Sequence, residues 1–220
     1  PVRLNVTDGQ FVSGTVPLRA TTAGDVSKLG IAIDDRPVAP VTPSLEAGPL
    51  FAFEATSTDA FFRNGVKLGD DVLTIFDEGF YARIVTVDAA VPVDKVERGK
   101  PLTLSVTAGT KAWPNADPNE NNDDFSALNF RLALPDGRVL RPVSCATTKE
   151  AGGAETAPAP YTCPTGETRV AFSDATLVSF RATFDIPTDA FDSLAAAWNT
   201  KAVADGPHTI VAAGASASTK

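Results

Sequence analysis

Hydrophobic and polar residues alternate along many short stretches of this chain, which is typical of strands buried on one face. The stretches with this period of two are 16–20, 29–33, 50–55, 72–76, 82–87, 102–106, 128–134, 170–172, 178–184 and 208–212. Most are rich in Val, Ile, Thr, Leu or Phe, which suit a pleated, half-buried surface. Pairs such as Asp136-Gly137 and Asp205-Gly206 predict tight turns between strands. The pattern therefore predicts an all-β fold, an antiparallel β-sandwich.

One stretch, 188–198, departs from this alternation and predicts a short helix. Phe191, Leu194 and Trp198 are spaced i, i+3 and i+7, which places them on one helical face. An irregular loop is the alternative for this stretch. Seventeen prolines and sixteen glycines disfavour longer helices elsewhere. We therefore expect at most one short helix.

Size and charge narrow the classes of partner. The 220 residues are 43% hydrophobic, so the chain is able to bury a sizeable core. A net charge of −8 argues against nucleic acid and anionic membranes as partners. No apolar run approaches the ~20 residues of a membrane span, so we expect no membrane insertion. The chain contains no Met and no leader of basic residues followed by apolar ones. We therefore expect it to be a processed segment of a longer polypeptide.

The two cysteines, Cys145 and Cys163, flank a loop rich in Ala, Gly, Pro and Thr. We predict a disulfide between them, with free thiols as the alternative. Zinc needs further ligands, and the single histidine, His208, is distant in sequence. A structural disulfide indicates an oxidising compartment outside the cytoplasm, so we expect a secreted or cell-surface protein.

The two ends of the chain carry a recognisable pattern. Residues 6–20 include the strand Gly-x-Val-x-Leu-x-Ala, and residues 198–213 read Trp-Asn-Thr, then Asp-Gly-Pro-His-Thr-Ile. This pattern resembles the bacterial Ig-like modules of secreted multidomain proteins. The resemblance implies that 1–45 and 168–220 form one discontinuous Ig-like sandwich, and that 46–167 is an insertion.

The inserted region has a resemblance of its own. Residues 91–109, with Val-Pro near the start and Leu-Thr-Leu-Ser-Val near the end, are similar to a segment of galactose-binding-like jelly rolls. Lys100 stands where an Asn is usual in that segment. The resemblance implies a jelly-roll-like β region over 46–167.

An acidic loop near the middle of the chain is a candidate calcium site. Its oxygen-bearing side chains belong to Asp117, Asn119, Asn121, Asp123 and Asp124. Calcium takes six to eight oxygen ligands from carboxylates and carbonyls, so one such loop is able to supply several. An EF-hand is excluded, because Leu128 stands where that loop requires a Glu. A solvated turn rich in Asn and Asp is the alternative.

Three aromatic residues are candidates for contact with a sugar ring: Trp113, Tyr81 and Tyr161. A sugar presents C–H groups that lie against flat aromatic faces. Trp113 lies beside the acidic loop, and core packing is the alternative for its ring. Trp198 lies within the Ig-like pattern, and we expect it to pack in the core.

The parts of a catalytic site are lacking. No Gly-x-Ser-x-Gly elbow occurs, and a catalytic triad would have to use His208 in the middle of a strand. We therefore predict a non-catalytic module of a secreted or cell-surface multidomain protein. Its expected partners are a polysaccharide or cell-surface glycan, bound with calcium support, and other domains of the same polypeptide. The alternatives are a purely structural spacer or adhesin stalk, and a glycoside hydrolase with an acidic pair.

Overall fold

The computed structural model describes residues 2–76, 78–111, 123–151, 154–173 and 177–214. In these ranges the regular structure is strands and single-turn 3₁₀-helices, the latter at Val26–Lys28, Val93–Lys95 and Thr200–Ala202. The strand pairs are antiparallel, which confirms the predicted all-β class. None of the described residues forms a helix long and apolar enough to cross a membrane.

The strands are numbered in chain order. The first ten are β1 (Val2–Leu4), β2 (Thr15–Thr22), β3 (Leu29–Ile33), β4 (Arg36–Pro37), β5 (Val41–Ser44), β6 (Leu50–Thr58), β7 (Asn64–Leu68), β8 (Asp71–Phe76), β9 (Phe80–Ala90) and β10 (Pro101–Thr107). The others are β11 (Ser126–Ala133), β12 (Val139–Leu140), β13 (Ser144–Thr148), β14 (Glu150–Ala151), β15 (Ala154–Glu155), β16 (Ala159–Tyr161), β17 (Val170–Ala171), β18 (Ser179–Asp185), β19 (Ser193–Asn199) and β20 (Ile210–Gly214).

Strands from both ends of the chain build a small two-sheet unit, here called the terminal sandwich. Its first sheet has the order β1-β2-β19-β5, and its second has the order β20-β3-β4. Both sheets contribute to one apolar cluster, consisting of Val16, Leu18, Ala20, Val26, Ile31, Ile33, Leu194 and Trp198. In β2 the buried residues alternate with exposed or half-buried ones, which is the period of two that the sequence predicts.

A larger pair of sheets, here called the middle sandwich, is built from the strands between β5 and β19. One sheet has the order β12-β11-β6-β9, with β17 beside β11, and the other has the order β16-β13-β18-β10-β7-β8. Phenylalanine rings fill the space between them. Phe130 of the first sheet lies 4.5 Å from Phe180 of the second, and Phe51 lies 5.9 Å from Phe184 between ring centroids.

Strands β17 and β18 lie beyond residue 168, within the range 168–220 that the sequence assigns to the Ig-like sandwich. β17 pairs with β11, and β18 pairs with both β10 and β13, so both strands belong to the sheets of the middle sandwich. Ile186 is still buried in the core of the middle sandwich, and Ser193 is the first residue of β19. The division into domains at 1–45, 46–167 and 168–220 stays a prediction.

The predicted helix over 188–198 is wrong, because most of this stretch is strand β19. Leu194 and Trp198 are four residues apart, a spacing that places two side chains on one face of a helix or of a strand. β19 is the third of four strands and pairs with β2 on one side and β5 on the other. Hydrogen bonding on both sides overrides the helix propensity of its three alanines.

Cys145 and Cys163 form the disulfide that the sequence predicts, with their Cα atoms 5.2 Å apart. Cys145 is buried on β13, and its neighbour in register on β16 is Tyr161. The Tyr161 ring packs edge-on against Phe180, 5.9 Å away between centroids. The disulfide therefore holds the segment that follows β16 against the middle sandwich.

We expect that replacing Cys145→Ala together with Cys163→Ala lowers the free energy of unfolding by about 3 kcal/mol, because the unfolded chain regains the entropy of an open loop. Urea unfolding followed by fluorescence checks this. The control is reductant, which should destabilise the wild type and leave the double variant unchanged. Equal urea midpoints for the oxidised wild type and the variant would contradict the prediction.

Candidate functional site

A cleft of about 780 Å³ opens in the terminal sandwich between segments 4–13 and 198–210. Leu4, Trp198 and Ile210 supply apolar lining inside it. Trp198 is buried, as the sequence predicts, and it also belongs to the core of the terminal sandwich. The cleft is therefore built directly on the packed core.

The register of β19 places this cleft at the free end of the terminal sandwich. Ser193 lies beside Ser44 at one end of β19, where the chain passes to and from the middle sandwich. The ion pair of Arg3 with Glu46 lies at this same end. The cleft extends from Trp198, near the other end of the strand, back to Leu4, which pairs with Ala20 of β2.

The first wall of the cleft is the segment that leads into β2. Thr7 and Gln10 close a turn, because the Gln10 amide donates to the Thr7 carbonyl oxygen at 3.1 Å, and the Thr7 amide donates to Gln10 Oε1 at 3.1 Å. Gly9 in this turn has φ +74°, a conformation that glycine adopts without steric cost. The Phe11 ring follows and is fully exposed, at 101% of its reference area.

Thr200 ties the two walls together at the base of the cleft. Its hydroxyl accepts from the Gly14 amide at 2.9 Å and donates to the Gly14 carbonyl oxygen at 3.1 Å. Its own amide donates to the same carbonyl oxygen at 2.9 Å. Three hydrogen bonds between residues 186 positions apart fix the spacing of the walls.

His208 holds the second wall through both of its ring nitrogens. Nε2 lies 2.9 Å from the Ala204 carbonyl oxygen, which only accepts, so Nε2 carries a proton. Nδ1 lies 2.6 Å from Asp34 Oδ2. A carboxylate also only accepts, so the geometry is that of a doubly protonated imidazolium against an ionised carboxylate.

The pKa values of this pair shift in the directions that the contact requires. The hydrogen bond that His208 donates to Asp34, with that to the Ala204 carbonyl oxygen, raises the pKa of His208 above 6.5. The hydrogen bonds from His208 and from the Thr209 amide lower the pKa of Asp34 below 3.8. The His208 ring also packs edge-on against Trp198, with 5.4 Å between ring centroids. These contacts make His208 a positioning residue for the cleft wall.

Asp34, which accepts these hydrogen bonds, lies in a tight turn between β3 and β4. Asp34 and Asp35 both have positive φ, +48° and +62°, as the two central residues of a type I′ hairpin turn require. The Thr209 amide donates to Asp34 Oδ1 at 2.9 Å, and the Asp34 amide donates to the Thr209 carbonyl oxygen at 2.9 Å. The turn thus presents the carboxylate to His208 in a fixed orientation.

Asp123, one of the predicted calcium ligands, is fully buried in a polar network of the middle sandwich. Its two carboxylate oxygens each lie 3.1 Å from the Asp59 amide, and Asn64 Nδ2 donates to Oδ2. Asn64 Oδ1 in turn accepts from the Gly109 amide at 2.9 Å. Burial, which outweighs these hydrogen bonds, raises the pKa of Asp123 to about 6.

The rest of the predicted calcium loop is not described, apart from Asp124. Asp117, Asn119 and Asn121 lie outside the described residues, and Asp124 is exposed. Within the described part of the chain, no group of three or more His, Cys, Asp and Glu residues is arranged to hold a metal ion. Calcium binding by this loop stays a prediction.

The predicted sugar-binding aromatic residues are described only in part. Trp113 lies outside the described residues, as does the side chain of Tyr81. Tyr161 is 41% exposed beside the disulfide. Phe11 was not predicted from the sequence, although an aromatic residue directly after the polar Asp-Gly-Gln turn is a signal of exposure.

Replacing Asp123→Asn should remove a pH dependence of stability. The pKa of Asp123 rises from 3.8 to about 6 on folding, so its contribution is present below pH 3.8 and is lost as the pH rises through 6. We therefore expect the free energy of unfolding of the wild type to fall relative to the variant between pH 4 and pH 7, measured by urea unfolding. Asp88→Asn, at an exposed position of β9, is the control and should keep the wild-type profile. The same profile in Asp123→Asn would refute this assignment.

His208→Gln should alter stability at higher pH. The pKa of His208 rises on folding, so the Asp34 pair stabilises the fold fully below about pH 6.5, and this is lost as the pH rises through the raised pKa. We expect the wild-type advantage over His208→Gln in thermal unfolding to shrink between pH 6 and pH 9. Because His208 is the one histidine of the chain, NMR titration of its ring assigns the pKa directly. A ring pKa at or below 6.5 would be inconsistent with the ion pair.

Comparison with known proteins gives one informative likeness. The chain is 28% identical over 212 residues to a protein of Bacillus subtilis (strain 168) named "Uncharacterized protein YvnB". The aligned region covers 96% of this chain and 15% of the length of that protein. No protein-family model matches the chain, and no solved structure matches it significantly. The chain is therefore similar, almost in full, to a small part of a much longer protein.

Proposed function

We propose that this chain is a non-catalytic, polysaccharide-binding module of a longer secreted or cell-surface protein. The proposal that the chain is a module is supported by its alignment with YvnB, which covers 96% of this chain and 15% of the length of that protein. A unit that aligns almost completely within a far longer chain behaves as a module. In this proposal the terminal sandwich is Ig-like and the middle sandwich is jelly-roll-like.

The disulfide supports the extracytoplasmic location. Disulfides persist in oxidising compartments and are rare in reducing ones. Cys145 is buried and its bond to Cys163 closes an 18-residue separation beside the core, as a structural disulfide does.

The states of His208 and Asp123 support a non-catalytic role. A general base needs a free lone pair that reaches the substrate, whereas both ring nitrogens of His208 are engaged. A general acid needs a raised pKa at an accessible position, and Asp123 combines a raised pKa with 0% exposure. Both groups hold loops in place instead.

Exposed aromatic rings and the charge balance support a neutral glycan as the partner. Phe11 and Tyr161 present rings to solvent near strand ends, where the loops of a sandwich gather. The net charge of −8 disfavours anionic polymers. Calcium held by the loop that contains Asp117 and Asp124 is part of this proposal.

The experiment is affinity electrophoresis of the intact chain through gels that contain xylan, mixed-linkage β-glucan or galactomannan. We expect slower migration in at least one gel, no release of reducing ends in solution, and loss of retardation with EDTA that added calcium restores. Bovine serum albumin in the same gels is the control for non-specific retardation. Normal migration in every gel would refute glycan binding and favour the spacer. Retardation that survives EDTA would refute the calcium part alone, and released reducing ends would refute the non-catalytic role.

A further inference from the structure

We propose that the cleft at the free end of the terminal sandwich is a saccharide subsite, in which a neutral sugar ring lies against Phe11 between Asp8 and Asp205. This rests on the proposed function and names the surface that performs it. It places sugar contact on a different sandwich from Tyr161 and Asp123.

The residues that line the cleft all belong to the terminal sandwich and the segments that flank its strands. The ion pair of Arg3 with Glu46 and the pairing of Ser193 with Ser44 mark the end of the first sheet that faces the middle strands. The cleft surrounds Trp198 at the other end. A polymeric ligand therefore reaches it without passing the middle sandwich.

The charges of the lining residues select against anionic ligands. The described residues that line the cleft include Asp8 and Asp205 and contain no Lys or Arg. His208 carries a positive charge, but that charge is paired with Asp34 at 2.6 Å. Phosphorylated or acidic sugars would meet two carboxylates without a cation to compensate them. Hydroxyl groups of a neutral sugar donate hydrogen bonds to such carboxylates instead.

The lining alternates apolar surface with neutral polar groups, as a sugar requires. Trp198 and Ile210 supply apolar surface inside the cleft, and Phe11 adds an aromatic face at its rim. Thr7, Gln10 and Ser13 supply hydroxyl and amide groups from the same segment as Phe11, in addition to the two carboxylates. A volume of about 780 Å³ lies within the usual range of small-ligand sites.

The walls are held before any ligand arrives. Thr200 fixes the first wall at Gly14 by three hydrogen bonds, and His208 fixes the second wall between Asp34 and the Ala204 carbonyl. Such pre-organisation lowers the entropy that binding would otherwise cost. The ring of Phe11 is fully exposed and therefore open to contact by a ligand.

A peptide with cationic and apolar side chains is the other occupant that two carboxylates and an apolar floor would admit. The neutral hydroxyl and amide side chains in the first wall favour the saccharide, because they both donate to and accept from hydroxyl groups, whereas an ammonium group only donates. The experiment therefore includes an oligolysine peptide with interspersed leucines as a second probe.

The test measures the Kd of the full chain by affinity electrophoresis in the neutral polysaccharide that retards the wild type most. We expect Phe11→Ala to bind at least about tenfold more weakly, since a lost aromatic contact costs on the order of one decade in affinity. Asp205→Asn should weaken binding by a smaller factor. Phe61→Ala is the matched control, because Phe61 is an exposed phenylalanine (44%) of the middle sandwich. It should bind like the wild type, and circular dichroism melting should show that all variants fold.

The outcomes separate the two proposals. Wild-type binding with unchanged Kd in Phe11→Ala overturns the subsite and leaves the proposed function intact. Loss of binding in Tyr161→Ala but not in Phe11→Ala moves the site to the middle sandwich and also overturns the subsite. Absence of wild-type binding to every neutral polysaccharide overturns both proposals. Direct binding of the oligolysine peptide that Phe11→Ala weakens, with no saccharide binding, would assign the cleft to a peptide instead.

Discussion

The antiparallel pairing of β19 with β2 is the interaction on which the rest of the structure depends. It joins seven residue pairs, among them Thr21 with Ser193, whose side-chain hydroxyls meet at 2.8 Å across a separation of 172 positions. The entropic cost of closing so long a loop grows only slowly with length, and a large buried interface is able to offset it. Every feature at either end of the terminal sandwich follows from this register.

Polar side chains, rather than apolar packing, fix the loops that this scaffold carries. Thr200 joins the walls of the cleft, His208 joins its wall to the turn at Asp34, and Asp123 joins two loops of the middle sandwich. Each of these groups satisfies backbone donors or acceptors that have no strand partner, as buried polar groups in proteins generally must. The cleft of the terminal sandwich is therefore a pre-formed surface, as the proposed recognition of a ligand requires.

Features set by neighbouring residues in the sequence were predicted correctly, whereas features set by tertiary contacts were not. Alternation found β2, β3, β10 and β18, because each has one buried face and its side chains repeat every two residues. The same approach failed over 188–198, where Leu194 and Trp198 fit both periods and only the neighbours of the strand decide between them. Phe11 escaped notice for a related reason, since its exposure depends on how segments 4–13 and 198–210 meet.

Local pattern sufficed for the all-β class, for ten of the twenty described strands and for the pairing of the two cysteines, because each depends on neighbours in the sequence or on there being no other partner. Tertiary contacts were needed for the strand order, the placement of β18 in the middle sandwich, the imidazolium pair of His208 with Asp34, and the cleft itself. These features join residues that are far apart in sequence, so no short window contains their cause. Strand faces follow from side-chain periodicity, whereas strand partners follow from the free energy of the whole assembled core.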